Sequence, residues 1–116
     1  MRTKRTDNKI IGFTCGCFDL LHAGHVVMLQ EAKRHCDYLI VGLQTDPSID
    51  RQAKNKPIQS VYERYMQLSA IGVVDKVIPY DTEQSLIDLL ESQDIDLRFI
   101  GEDYVCLLYT SDAADE

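Results

Sequence analysis

Short apolar blocks alternate along the chain with longer stretches in which apolar residues recur every three or four positions. An apolar block with almost no polar residue is typical of a strand that is buried on both faces of a parallel sheet. The segment Y-L-I-V-G-L has that pattern. The blocks predict four strands, the third stopped by Pro79 and the fourth closed by Gly101: Ile10–Thr14, Tyr38–Leu43, Asp75–Tyr80 and Leu97–Ile100.

Helical patterns separate the predicted strands. They cover His25–His35, Val61–Ile71 and Glu83–Ser92, and Thr82 is a suitable N-cap for the last of them. Gln44–Ser60 is polar, contains two prolines and is predicted to be a loop, and loops of this length are often functional. In the third helix four apolar residues are predicted to be buried: Leu86, Ile87, Leu89 and Leu90.

The order of elements predicts the fold class. Strands that alternate with helices form a parallel sheet with right-handed crossovers and helices on both faces. We therefore predict an α/β fold with a Rossmann-like, doubly wound parallel sheet. Ligands of such sheets bind outside the carboxyl ends of the strands, so the loops that follow the strands are the place to look for chemistry.

Composition excludes several classes of protein. The chain has 116 residues, which fits one domain, and its 19 acids against 12 bases give a net charge of -7. That balance argues against broad binding of nucleic acid through its phosphates. No apolar run approaches the roughly 18 residues of a membrane span, and the basic start, residues 1–9, is predicted to be a flexible arm and not a secretory signal. We expect a cytoplasmic protein with reduced thiols.

The turn after the first strand concentrates chemical groups. It reads G-C-F-D-L-L-H-A-G-H, from Gly16 to His25. His22 and His25 are three residues apart, so they can point to one side at the entrance of a helix. Gly24 precedes the predicted helix, where free N–H groups and the helix dipole attract anions. Asp19, in the same turn, is placed to orient a histidine or a metal-bound water.

Zinc binding is an alternative interpretation of this turn. Cys15 and Cys17 precede the two histidines, and all four residues can be zinc ligands. Their spacing is shorter than that of structural zinc sites, and Cys15 and Cys17 lie where side chains alternate between the faces of a strand. We therefore predict no metal ligands among these residues, and we interpret Cys36 as a packing residue.

The histidine turn and three further segments resemble the cytidylyltransferase-like nucleotidyltransferases, which carry the H-x-G-H signature. The other segments are C-D-Y-L-I-V-G-L-Q-T-D-P, V-Y-E-R and V-D-K-V-I-P, and the resemblance spans about 10–104. Within this family, the chain most resembles the branch of glycerol-3-phosphate cytidylyltransferase-like proteins. The resemblance implies that residues 10–104 form a domain with the nucleotidyltransferase fold of this family.

The resemblance implies a reaction. These enzymes transfer CMP, or AMP in some branches, from CTP or ATP to a small phosphorylated acceptor such as glycerol 3-phosphate or a sugar phosphate, and pyrophosphate is released. The acceptor phosphate is already ionised at neutral pH, so the protein must mainly align two anions and neutralise charge. The resemblance also implies Mg²⁺ as cofactor, homodimers, and no nucleic-acid or membrane partner.

The same resemblance implies roles for individual residues. His22, His25, Lys54 and Lys56 would be catalytic, with one lysine serving the nucleotide and the other the acceptor phosphate. The alternatives are that the lysines are solvated loop charges and that Arg64 pairs with a nearby acid. The residues implied to bind the nucleotide, through backbone or side chain, are Cys17, Phe18, Asp19, His22, Ala23, Gly24, His25 and Arg64.

Two departures weaken glycerol 3-phosphate as the acceptor. The stretch D-T-E-Q-S-L has no lysine, and Ile71-Gly72-Val73 stands where those relatives have an arginine. The end of the chain departs further, because Cys106–Glu116 resembles a translated sequencing adapter. We interpret 105–116 as a non-native tail, with a real edge strand, C-L-L-Y, as the alternative. The expected domain is then C-terminally incomplete and lacks its nucleotide-closing motif, which makes a non-catalytic nucleotide-binding module the second functional hypothesis.

Overall fold

The structure is a computed structural model, and it describes residues 8–48, 56–102 and 105–110. Its centre is a five-stranded sheet with the order β3-β2-β1-β4-β5, in which the first four strands are parallel. This confirms the predicted Rossmann-like α/β fold. The elements in chain order are β1 Ile11–Gly16, α1 Ala23–Lys33, β2 Tyr38–Gln44, α2 Val61–Ser69, β3 Lys76–Tyr80, α3 Glu83–Ser92, β4 Leu97–Glu102 and β5 Val105–Thr110.

The apolar run of β2 serves two cores at once. Leu39, Val41 and Leu43 face a cluster that contains Leu29 of α1 and Leu68 of α2. On the opposite face Ile40 packs with Phe13, Tyr80, Leu89 and Ile95. Because successive residues of a strand point to opposite faces, burying both faces requires a nearly unbroken apolar sequence. Helices therefore cover both sides of the sheet, as predicted.

The helices begin at side-chain caps. Ser60 accepts from the backbone N–H of Glu63 at the start of α2, and Thr82 accepts from that of Ser85 at the start of α3. Each cap satisfies a backbone donor that has no partner within the helix. Thr82 confirms the predicted cap. The prediction that Ile87 is buried was wrong, since 49% of it is exposed, whereas Leu89 of the same helix is buried.

Among the boundaries that differ from the predictions, the start of α1 and the end of β4 matter most. β3 ends at Tyr80 as predicted, and it accommodates Pro79 because β3 is an edge strand, where a missing N–H costs little. Helix α1 begins at Ala23 and not at His25, so Gly24 lies inside its first turn. Likewise β4 continues through Gly101 to Glu102. No helix in the described segments is long and apolar enough to cross a bilayer.

The end of the chain contributes an edge strand. β5, Val105–Thr110, pairs antiparallel with β4, with Leu97 opposite Thr110 and Glu102 opposite Val105. This strand corresponds to the alternative interpretation of the segment, a real edge strand at C-L-L-Y. The interpretation of 105–116 as non-native and the domain limits 10–104 stay predictions. Most of the predicted basic arm, and the last six residues, lie outside the described part of the chain.

Gly42 of β2 provides a test of the packing. A Cβ atom at this position would lie 2.7 Å from Cζ of the buried Phe13 ring and 3.2 Å from Cε1 of Tyr80. Gly42→Ala is therefore expected to lower the free energy of unfolding by about 1–3 kcal/mol, the usual cost of overpacking a core. Gly72→Ala is the matched control, because a Cβ there meets nothing within 4 Å. Urea unfolding measures both, and equal stability of the two variants would contradict this packing.

Candidate nucleotide-binding site

The turn that follows β1 lies at the point where the strand order of the sheet reverses. β1 pairs with β2 on one side and with β4 on the other, and α1 and α2 pack on the face opposite α3. In sheets of this kind, ligands bind in the crevice beside such a switch point, outside the carboxyl ends of the strands. The fold therefore puts the histidine-containing turn where a ligand is expected.

Two histidines cap helix α1. Nδ1 of His22 accepts a hydrogen bond from the backbone N–H of Gly24 at 3.0 Å, and Nδ1 of His25 accepts from the backbone N–H of His22 at 3.0 Å. The pair forms a capping box of the kind that Ser or Thr usually forms with Glu or Gln. The sequence rules for N-caps do not include histidine, which explains why the start of α1 was predicted too late.

These bonds determine the tautomer of both rings. A backbone N–H can only donate, so each Nδ1 must carry a free lone pair. In a neutral imidazole one nitrogen donates and the other accepts, which leaves the proton of each ring on Nε2. His22 and His25 have ring centroids 4.1 Å apart. The turn thus carries two neighbouring Nε2–H donors beside the N-terminus of a helix.

The surroundings of His25 favour its neutral form. Burial lowers the pKa of His25 below its ordinary value, and the neighbouring His22 lowers this pKa further. The ring of Phe18 contributes to this environment, with its centroid 5.5 Å from that of His25. A neutral His25 keeps Nδ1 free to accept, so the pKa and the capping bond agree.

The backbone of the turn is strained at two positions. Phe18 and Leu20 have φ angles of 51° and 52°, in the left-handed region that side chains with a Cβ disfavour by about 1–2 kcal/mol each. Nothing in the residue types indicates this conformation, since the nearest glycine, Gly16, is the last residue of β1. Such strain persists only where neighbouring contacts hold it.

Asp19, between the two strained residues, supplies such contacts. Its Oδ2 accepts from the backbone N–H of Ile58 at 2.8 Å, and its Oδ1 accepts from that of Gln59 at 2.9 Å. These two N–H groups, from Gln59 first and Ile58 second, hold the pKa of Asp19 below its ordinary value. In return, Oε1 of Gln59 accepts from the backbone N–H of Leu20 at 2.8 Å. This contact of Gln59 could not be predicted from the sequence, because it joins loops that are 39 residues apart.

Arg64 of α2 lies beneath the turn and is 1% exposed. Its Nη1 donates to the carbonyls of Cys17 at 3.0 Å and Gln44 at 2.6 Å, and its Nη2 donates to that of Thr45 at 2.6 Å. Its Nε donates to the carbonyl of Gln59 at 3.1 Å. The partners are backbone carbonyls, not the acid that the sequence analysis offered as an alternative. Nucleotide contact by Arg64 stays a prediction.

Comparisons with known proteins identify the family of the chain. A family model described as cytidylyltransferase-like matches residues 13–115. The chain belongs to the cytidylyltransferase-like family. This family consists of nucleotidyltransferases, so the membership confirms the resemblance that the H-x-G-H turn carried.

Individual relatives extend the comparison. The chain is 44% identical over 95 residues to the bifunctional protein HldE of Caulobacter sp. strain K31, covering 81% of this chain and 19% of that protein. It is 40% identical over 102 residues to HldE of Campylobacter jejuni strain 81116, covering 87% and 22%. The chain therefore spans about a fifth of the length of these relatives. A lipopolysaccharide core biosynthesis protein from Thermoplasma volcanium has a similar structure, with a TM-score of 0.73, 29% identity, and coverage of 83% of this chain and 77% of that one.

The remaining predicted residues of this cytidylyltransferase-like domain fall into two groups. Ala23 and Gly24 lie in the first turn of α1, where helix N–H groups have no partner within the helix. Lys56 is exposed two residues before Ile58, the partner of Asp19, and Lys54 lies outside the described residues. Cys17 is half-buried beside the guanidinium, and burial raises the pKa of its thiol. The roles predicted for these residues stay predictions.

No group of three or more potential metal ligands occurs within the described segments of the domain. In particular, both carboxylate oxygens of Asp19 accept hydrogen bonds from backbone N–H groups, and each histidine Nδ1 accepts a capping bond. The described side chains therefore offer no preformed cage for a metal ion. Mg²⁺ commonly binds to substrate phosphates together with only one or two carboxylates, so it would depend chiefly on the oxygens of a triphosphate.

Acidification is expected to destabilise the cap of α1. The pKa of His25 is lower in the folded chain than the ordinary value of about 6.5, so between the two values the unfolded chain binds more protons and stability rises with pH. The contribution of His25 is complete above the unfolded pKa and is lost as the pH falls through the folded one. Urea unfolding at about pH 7.5 and about pH 5 measures this loss.

His25→Gln provides the comparison, because glutamine at this position keeps a capping-box acceptor that does not titrate. The native chain should lose more free energy of unfolding than this variant on acidification. His35→Gln is the control, since His35 is exposed and pairs with Glu31 away from the turn. An equal pH dependence of the native chain and His25→Gln would contradict the assigned cap.

Proposed function

We propose that this domain transfers a nucleotidyl group, CMP or AMP, from CTP or ATP to a sugar phosphate and releases pyrophosphate. In this reaction an oxygen of the acceptor phosphate attacks the α-phosphorus of the nucleotide. The bond from that phosphorus to the bridging oxygen breaks, and the electron pair leaves with pyrophosphate. The acceptor oxygen is already anionic at neutral pH, so no proton has to be removed before the attack.

The observation that carries the proposal is the paired Nε2–H donors of His22 and His25. Charge on the phosphate oxygens grows and shifts toward the leaving group as the bond breaks, and fixed donors aimed at those oxygens lower the barrier. The capping bonds at each Nδ1 hold both rings in place before substrate arrives. The positive end of the α1 helix dipole adds to the same field.

Charges around the turn support the same proposal. Lys56 stands on the segment that Asp19 holds beside the turn, and Lys54 is proposed to act with it, one on the nucleotide and the other on the acceptor phosphate. Arg64 places a buried positive charge beneath the backbone of Cys17. Mg²⁺ enters the proposal bound to the triphosphate, where it would neutralise part of the charge on the oxygens.

A sugar phosphate is the acceptor that best fits the comparisons. The similar structure from Thermoplasma volcanium is that of a lipopolysaccharide core biosynthesis protein, and lipopolysaccharide cores are built from sugars. The sequence lacks two basic residues of the glycerol-3-phosphate branch, as Ile71-Gly72-Val73 and D-T-E-Q-S-L show. The choice between CMP and AMP is left to the assay, which compares both nucleotides.

The decisive experiment measures pyrophosphate release from CTP and from ATP, each with a panel of sugar phosphates and with glycerol 3-phosphate. The proposal expects release that depends on Mg²⁺ and on a sugar phosphate. Turnover with glycerol 3-phosphate alone would refute the proposed acceptor. Nucleotide binding without release for any acceptor would favour the non-catalytic module.

Two substitutions test the histidine donors without removing the helix cap. His22→Asn keeps an N-cap oxygen, and His25→Gln keeps the acceptor of the capping box, but neither variant has an Nε2–H at the original position. Each is expected to lower kcat by about 100- to 1000-fold, as the loss of one such donor does in other enzymes.

His35→Gln is again the control and should retain the kcat of the native chain, because His35 contacts Glu31 on the exposed side of α1. Thermal unfolding should show that the three variants are folded. A kcat near the native value in both His22→Asn and His25→Gln would rule out the proposed donors.

A further inference from the structure

The phosphate-binding turn and the segment that follows Lys56 are joined by reciprocal hydrogen bonds. Both carboxylate oxygens of Asp19 accept from the segment, at Ile58 and Gln59, and Oε1 of Gln59 accepts from the turn, at Leu20. The three distances are 2.8, 2.9 and 2.8 Å. The partners are about forty residues apart in sequence, so each bond fixes one loop relative to another.

Arg64 completes the connection from below. Its guanidinium donates to the carbonyl of Cys17 in the turn and to that of Gln59 in the segment, and also to Gln44 and Thr45 at the end of β2. We refer to the set of Asp19, Gln59 and Arg64 as the clasp. The clasp thus ties the ends of β1 and β2 and the start of α2 into one unit.

The position of the clasp defines what it holds. Phe18 and Leu20, on either side of Asp19, have left-handed φ angles, and Leu20 is itself bonded to Gln59. Loss of these bonds would let the turn relax toward ordinary dihedrals and redirect its backbone N–H groups. At the other end, Ile58 is two residues from Lys56. The clasp therefore sets the distance between the histidine donors and Lys56.

We propose that Asp19, Gln59 and Arg64 are positioning residues that hold the turn and the Lys56 segment in the arrangement that binds the triphosphate. This inference rests on the proposed nucleotidyl transfer and adds how its site is assembled. Asp19 acts through the backbone of Ile58 and Gln59, not as a ligand of a metal ion or as a partner of the histidines. Errors of about 1 Å in the placement of binding groups are costly, so a distant clasp can control affinity.

Gln59→Leu is the main test, because it removes the acceptor for Leu20 and alters no group assigned to the nucleotide. Arg64 is not substituted in this test, because it is so deeply buried that its replacement is expected to impair folding. Two measurements are made on the full chain: amide hydrogen exchange at Leu20, Ile58 and Gln59, and the Kd for CTP and for ATP in EDTA. In Gln59→Leu, exchange at Leu20 should accelerate about tenfold, as expected for one lost hydrogen bond. The Kd should rise about 10- to 100-fold.

Asp19→Asn tests the other half of the clasp. Its Kd in EDTA should rise as in Gln59→Leu, and the double variant should lose less than the product of the two single effects, because both act on one connection. A carboxylate that only held Mg²⁺ would instead leave the Kd in EDTA unchanged. That result would overturn the positioning role of Asp19.

Asp37→Ala is the matched control. Asp37 also accepts a backbone N–H across the fold, from Ile10 at 2.8 Å, but at the amino ends of β1 and β2, the opposite end of these strands from the turn. It should leave the Kd unchanged, and an effect as large as that of Gln59→Leu would overturn the inference. Faster exchange in Gln59→Leu with an unaltered Kd would do the same. A native chain that binds neither nucleotide, in EDTA or with Mg²⁺, would refute the proposed function and, with it, this inference. Faster exchange in Gln59→Leu would then show only that the clasp stabilises the fold.

Discussion

The buried guanidinium of Arg64 is the interaction on which the site depends. A charge that is 1% exposed must be compensated, and here four backbone carbonyls provide the compensation. These carbonyls belong to the turn after β1, to the end of β2 and to the residue before the cap of α2. Because one planar group bonds all of them, the three segments cannot shift independently. The planar fork of arginine suits this task, whereas the single ammonium of lysine does not.

The two histidines show how one residue can cap a helix and still keep a second ring nitrogen for another contact. An imidazole has two nitrogens with different roles, and the fold uses Nδ1 of His22 and His25 for the helix cap. The same bonds leave the proton of each ring on Nε2, which is a donor. An aspartate cap would satisfy the helix equally well but would present no donor, because an ionised carboxylate only accepts. The spacing of three residues follows from the capping box, since its members are the N-cap and N3.

Much of the fold could be predicted from the sequence because its signals are local. The apolar run of β2 reports burial on two faces, and Thr82 marks the start of α3. The site was predictable as far as its motif, which the structure places outside β1. The bonds between Asp19, Gln59 and Leu20 were not predictable, since they depend on loops about forty residues apart. The left-handed φ of Phe18 and Leu20 depends on those loops, so residue type gave no warning of it.

The charge of the site differs from that of the chain, and this difference explains why positioning matters. The chain has a net charge of -7, and long-range attraction of a triphosphate by the whole molecule is therefore weak. The helix N-terminus acts only within its first turn. The proposed recognition therefore relies on Lys56 and on donors that work at hydrogen-bond distance. Such donors are effective only when they are correctly placed, so a site of this kind needs a rigid connection between its loops more than it needs additional positive charge.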